Sequence, residues 1–199
     1  MIVVTADQID STHRTDLAGS TVDRLNDRYA DSLALPVDRN AGDEIQAIVQ
    51  DPRVALTIIL DLLRTNQWSV GCGIGAVRTP LPANTREASG PAFVAARAAV
   101  IRAKKEQHRF SLVIDEAHEP AHNIAPLMDL LLFVRSRRSD EGWQLYDLLE
   151  QGLTQADAAA RLGITPQAAS QRARAAGIRI ELSAHAPLAQ LIGEADTAQ

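Results

Sequence analysis

Between Thr165 and Arg179 the chain reads TPQAASQRARAAGIR, and its polar residues fall in a pattern suited to chemistry on a nucleic acid. Gln167, Ser170, Gln171 and Arg174 recur at three- and four-residue steps, so on a helix they share one face. Amides, a hydroxyl and a guanidinium are the groups that bond to base edges in a groove or to phosphate oxygens. Arg172 and Arg179 extend the set toward phosphates. Thr165 suits the capping position, with Pro166 at the first helical position. Ala169, Ala173 and Ala176 line the other face, where a helix of this kind must pack. The charge of the whole chain, −5 over 199 residues, stands against a broad nucleic-acid-coating surface but not against a small basic element. From Asp140 onward there are four arginines (161, 172, 174, 179) against eight acids (140, 141, 147, 150, 157, 181, 194, 196). Three of those arginines, and none of the acids, lie between Thr165 and Ile180.

Three other strings match catalytic motifs as text but lack the context their chemistry needs. LVIDEAHE, Leu112–Glu119, has the form of a metal-holding strand end in a helicase. That chemistry also needs a G-x-x-x-x-G-K-[ST] phosphate loop, which the chain lacks, so a strand followed by an acidic loop is expected. HEPAH, His118–His122, satisfies H-E-x-x-H, but Pro120 interrupts the helical turn that must carry both histidines, and no third ligand is evident. GCGIGA, Gly71–Ala76, leads into VRTPLP rather than a helix and so fails as a dinucleotide-binding turn. Glycines in such a strand instead allow close approach of a neighbouring backbone.

A reading face such as Thr165–Ile180 has to be held by a helix-turn-helix. Two short helices cross closely, which asks for a small residue at the crossing and a residue tolerant of positive φ in the turn. Ala159 and Gly163 fill those places, and Ile164 is expected to plug the core just after the turn. Ahead of this motif the chain alternates strand and helix signals: IVVTAD as a strand, a helix over about Thr15–Ser32, and a hairpin in ALPVDRNAGDEIQAIV. A helix capped by Asp51-Pro52 follows, then the strand WSVGCGIGAV, the helix SGPAFVAARAAVIRAKKE, the strand RFSLVID and a helix from Ile124 to about Arg137. The order β-α-β-β-α-β with additions predicts an α+β fold of ferredoxin-like type. RSRRSDEG, a charged run, marks the expected joint, giving an α+β domain over 1–137 and a small all-α domain over 140–199. Cys72 is the only cysteine, which excludes an internal disulfide and a cysteine zinc cluster. No apolar run approaches the length of a membrane span and the start lacks a basic leader, so a cytoplasmic protein is expected.

From Trp143 to Arg179 the chain is similar to helix-turn-helix domains of bacterial regulators and to the promoter-binding region of sigma factors. TADQIDS, GDE, GCGIGAV and SGPAFVAAR, in that order, resemble the SatD-like family of bacterial proteins and, more distantly, class III nucleotide cyclase catalytic domains. The cyclase resemblance implies that Asp7 and Asp43 hold Mg or Mn with a nucleotide, since hard cations take oxygen ligands. It also implies Arg97 as a phosphate partner and Arg39 near the purine-selecting position. Phe93 stands where cyclases have an asparagine that positions the ribose, and positioning supplies much of the rate of phosphoryl transfer. Cyclase activity is therefore not expected. The expectation is a non-enzymatic transcriptional regulator. Its cyclase-like domain dimerises or senses a ligand, and its C-terminal helices bind double-stranded DNA as a homodimer. The alternative is a metal-dependent nucleotide-binding or cyclase-like enzyme using Asp7 and Asp43.

Overall fold

The structure, a computed structural model, describes residues 1–13, 15–40, 42–115 and 121–197, with 121 and 122 described by their backbone only. It is an α+β architecture in which eight α-helices and a five-stranded mixed sheet are described. Two compact units are distinguished: Met1–Leu127 together with the chain from Leu188, and Met128–Pro187. HEPAH and the acidic end of LVIDEAHE lie outside the residues whose side chains are described.

The first unit is built on the strands β1 (Ile2–Gln8), β2 (Leu33–Arg39), β3 (Glu44–Val49), β4 (Trp68–Ile74) and β5 (Phe110–Ile114). They run in the order β2-β3-β1-β4-β5, antiparallel except for the parallel β4–β5 pair at one edge. β1 is flanked on both sides, which suits its β-branched, apolar run, since a central strand exposes neither edge. Helices α1 (Ala18–Tyr29), α2 (Pro52–Arg64) and α3 (Pro91–Ala103) connect the strands. The expected hairpin and the Asp51 cap are present: Asp51 accepts from the Arg53 amide at 2.8 Å, with Pro52 at the first position. The first helix starts at Ala18, later than its apolar spacing predicts, because the buried Gln8 ties down the segment before it. Its side chain donates to the Thr15 carbonyl at 2.8 Å and accepts from the Leu17 amide at 2.9 Å.

The glycine string of β4 has a steric role. Gly71 and Gly73 point to one face of the sheet, and α3 lies there with its backbone against them. A methyl on Gly71 would stand 2.7 Å from the Ala96 carbonyl oxygen and 2.7 Å from Val100 Cα. On the helix side Ala92, Ala96 and Ala99 keep the approach equally close, all of them buried. Glycine facing alanine lets strand and helix meet at backbone distance.

The second unit is helical. It takes in α4 from Met128 (Ala121–Ser136 overall), α5 (Asp140–Glu150), α6 (Gln155–Arg161), α7 (Pro166–Ala175) and α8 up to Pro187 (Ile178–Thr197 overall). Leu145, Tyr146, Ala158, Ala176 and Ile178 form its apolar centre. The 20-residue α8 continues through Pro187, where a sequence reading would break a helix.

Candidate functional site

Helix α7, which carries the polar face, shares one set of terminal signals with α5 and α6. Ser139, Thr154 and Thr165 precede α5, α6 and α7, and each side-chain oxygen accepts from the backbone amide three residues on, at 3.1–3.2 Å. Gly152, Gly163 and Gly177 follow the three helices with φ of +88°, +65° and +64°. At Gly163 the closure is complete: its amide reaches the Ala160 carbonyl at 3.2 Å and the Ile164 amide reaches Ala159 at 3.0 Å. Each helix thus has a capped first turn and a glycine closing its last, which helps short helices of 7 and 10 residues persist side by side.

Ala159 and Ala169 are buried and small, so α6 and α7 pack closely. Ile164 is half-buried. On α7 the alanine face turns inward, with Ala169 and Ala176 buried and Ala173 half-buried. Gln167, Ser170, Gln171 and Arg174 are exposed, as are Thr165 and Arg179. Arg172 stands apart from them. It is half-buried at the flank of α7, and its charge acts on Glu141 of α5. The Ser139 hydroxyl is the main group holding that carboxyl below its ordinary range, with Arg172 the smallest contributor.

Behind α7 lies a charged cluster that the sequence reading missed. Glu181 of α8 is fully buried and pairs with Arg135 and with Arg138, whose Nη2 lies 2.6 Å from Glu181 Oε2. His185 Nε2 lies 3.5 Å from Glu181 Oε1. Both guanidiniums lie over aromatic rings of α5: Arg138 Cζ is 4.3 Å from the Trp143 centroid, and Arg135 Cζ is 4.8 Å from it. Trp143 and Tyr146 meet edge to face at 5.4 Å. Burial by itself pushes the Glu181 carboxyl up, but the neighbouring His185 ring and the charges of Arg135 and Arg138 outweigh it and bring the group down to about 2. The same burial, with the Glu181 charge added, pushes the Tyr146 hydroxyl upward. The available sequence signal was arginines three apart just before Trp143 and Tyr146, together with a lone acid in the apolar run IRIEL.

In the first unit, Asp7 at the end of β1 is directly opposite Glu44 of β3 on the face that α3 covers. Lys104 Nζ lies 2.8 Å from Asp7 Oδ1. Arg97 pairs with the buried Glu44, which also accepts from Asn40 Nδ2 at 2.8 Å. Lys104 follows Arg97 by seven residues, two turns along the same side of the chain leading out of α3. Asp43 is half-buried in the hairpin, and its carbonyl accepts from the Gln8 amide at 3.4 Å. Arg39 is engaged by Asp16 at 2.6 Å. The carboxylate that shares a face with Asp7 is therefore Glu44, and each of the two already has a basic partner. A divalent cation at Asp7 would compete with Lys104 for Oδ1. Among the described residues no group of three or more His, Cys, Asp or Glu side chains is arranged to hold a metal, and no helix is long and apolar enough to cross a membrane.

A family model described as the SatD family matches residues 3–192, nearly the whole chain and both units, so the chain belongs to that family. None of the curated proteins matches it.

Proposed function

We propose that this SatD family member is a cytoplasmic transcriptional regulator that binds double-stranded DNA through α7. The observation that carries the reading is the two-sidedness of that helix. Its alanines pack inward while Gln167, Ser170, Gln171 and Arg174 face solvent, in a stretch from Thr165 to Ile180 that holds no acid. Capped short helices joined by the Gly163 turn, with Ala159 and Ala169 in the contact, support reading α6–α7 as a helix-turn-helix. Arg179, exposed at the start of α8, would serve a phosphate contact, and Thr165 would lie at the end that enters the groove. Arg172, half-buried, contributes less. A homodimer would present two such helices to two half-sites, which compensates for the few contacts of one.

The strand order β2-β3-β1-β4, all antiparallel, supports a ferredoxin-like, cyclase-related reading of the first unit, with β5 added at the edge. The pairing of Asp7 with Lys104 and of Arg97 with Glu44 favours a non-catalytic role for it over the metal-and-nucleotide alternative. Incubation with ATP or GTP and Mn²⁺ checks this directly: formation of a cyclic nucleotide would reinstate the alternative.

Selection of bound sequences from a random DNA pool tests the main proposal. Enrichment of one motif, with Arg174→Ala weakening its binding by about 1–3 kcal/mol, is the expected result. A selected duplex bound equally well by the variant would put the reading surface elsewhere.

A further inference from the structure

We infer that Arg138 is a positioning residue for the polar face of α7: its guanidinium holds the C-terminal end of that helix and so sets the angle at which Gln167, Ser170, Gln171 and Arg174 meet a duplex. The inference rests on the DNA-reading proposal and adds a residue that acts through the helix rather than on the DNA.

The Arg138 side chain is fully buried. A guanidinium in that position is tolerated only where its donors and its charge are met. Nε donates to the Ala176 carbonyl at 2.9 Å, and Nη2 donates to Glu181 at 2.6 Å. Nη1 has no hydrogen-bond acceptor among the described residues, and the faces of Trp143 and Tyr146, 4.3 and 4.7 Å from Cζ, offset that part of the charge. One planar group thus joins α7 through Ala176, α8 through Glu181 and α5 through its aromatic pair.

Ala176 is the residue that closes α7, so its carbonyl is one of the acceptors a helix leaves unpaired. A cation at that end also faces the negative pole of the helix. Room for this contact is built into α5. A methyl on Gly142 would stand 2.8 Å from Arg138 Cγ and 3.0 Å from the Ala176 methyl. The inner face of α7 is alanine, which packs on the apolar centre without a long interlocking side chain, so a fixed contact at its end bears on roll and tilt. Base-edge contacts need placement within about 0.5 Å, whereas phosphate contacts through long, flexible arginines tolerate more. Arg138 therefore governs selectivity between sequences more than total affinity. Lysine at this position keeps the charge but has neither a fork of donors nor a plane to lay on the rings.

The experiment uses the full chain as wild type, Arg138→Lys and Gly142→Ala. Each is titrated with the selected duplex and with a scrambled one over a range of salt, and each is melted thermally. In both variants the scrambled-duplex affinity and the salt dependence should stay at wild-type values. The preference for the selected duplex should fall about tenfold or more, the order of one lost base contact. The inference is overturned by retained preference in a folded variant, or by equal loss on both duplexes. It is also overturned if neither variant melts cooperatively, which would make the contact a determinant of folding alone. A wild-type chain with no preferred duplex would instead remove the DNA-reading proposal itself.

Discussion

Adding one methyl to Gly73 would drive it into the Ala96 amide nitrogen, a backbone atom that cannot rotate away as a side chain can. Strand and helix would have to separate, so Gly73→Ala is expected to destabilise the protein by about 2 kcal/mol or more. Gly19→Ala is the control, since a methyl in that position of α1 meets nothing within 4 Å and helix propensity favours alanine. Denaturant midpoints decide the matter: a Gly73→Ala midpoint equal to wild type would contradict the close-packing account. Glu181 is a residue-scale test of a different kind. Its carboxyl lies at about 2 in the folded chain against an ordinary 4.5, so the charged form is the one the fold favours. The resulting stability is fully present above about pH 4.5 and is lost as pH falls toward 2, amounting to about 3 kcal/mol. Between pH 6 and pH 3 about 2 kcal/mol of it should be lost, so the unfolding free energy should fall by about that much more in wild type than in Glu181→Gln. An equal loss in both would mean that other carboxylates carry the acid sensitivity.

At the scale of elements, the N-cap at Thr165 and the glycine closure at Gly163 were legible because they depend on neighbours only three to five residues away. Thr165→Ala removes the acceptor for the Ala168 amide and is expected to lower stability by about 1 kcal/mol, read from thermal unfolding. If the melting curve stays unchanged, the threonine is not holding the helix start. The hairpin, the proline-led helices and the spacing role of the β4 glycines were readable for the same local reason. What escaped depended on partners distant in sequence. Arg135 and Arg138 looked like a solvated joint, since charged residues are seldom fully buried, and their acid lies more than 40 residues further on. The late start of α1 has a similar cause, a buried glutamine from the preceding strand. The pairing of Asp7 with Lys104 could not be anticipated either, because it depends on where the segment after α3 comes to rest on the sheet.

For the molecule as a whole, charge is the quantity that most constrains the proposed activity. A net charge of −5 repels a polyanion at long range, so attraction has to come from one short basic stretch at close range. Arg174 and Arg179 are its exposed cations, and Arg172 is half-buried. Each phosphate neutralised releases condensed counterions and adds about 0.9 to the slope of log K against log salt, so one chain should show a slope of about −2 to −3. A homodimer doubles that to about −4 to −6. Titrating one duplex across salt concentrations, beside sedimentation of the complex, therefore gives contact number and stoichiometry together. Arg179→Ala should reduce the slope by about 1 per chain and weaken all duplexes alike, as expected of a phosphate contact, whereas Arg174→Ala should act chiefly on the preferred one. Binding that ignores salt would be incompatible with phosphate contacts and would point to a protein partner for the α7 face.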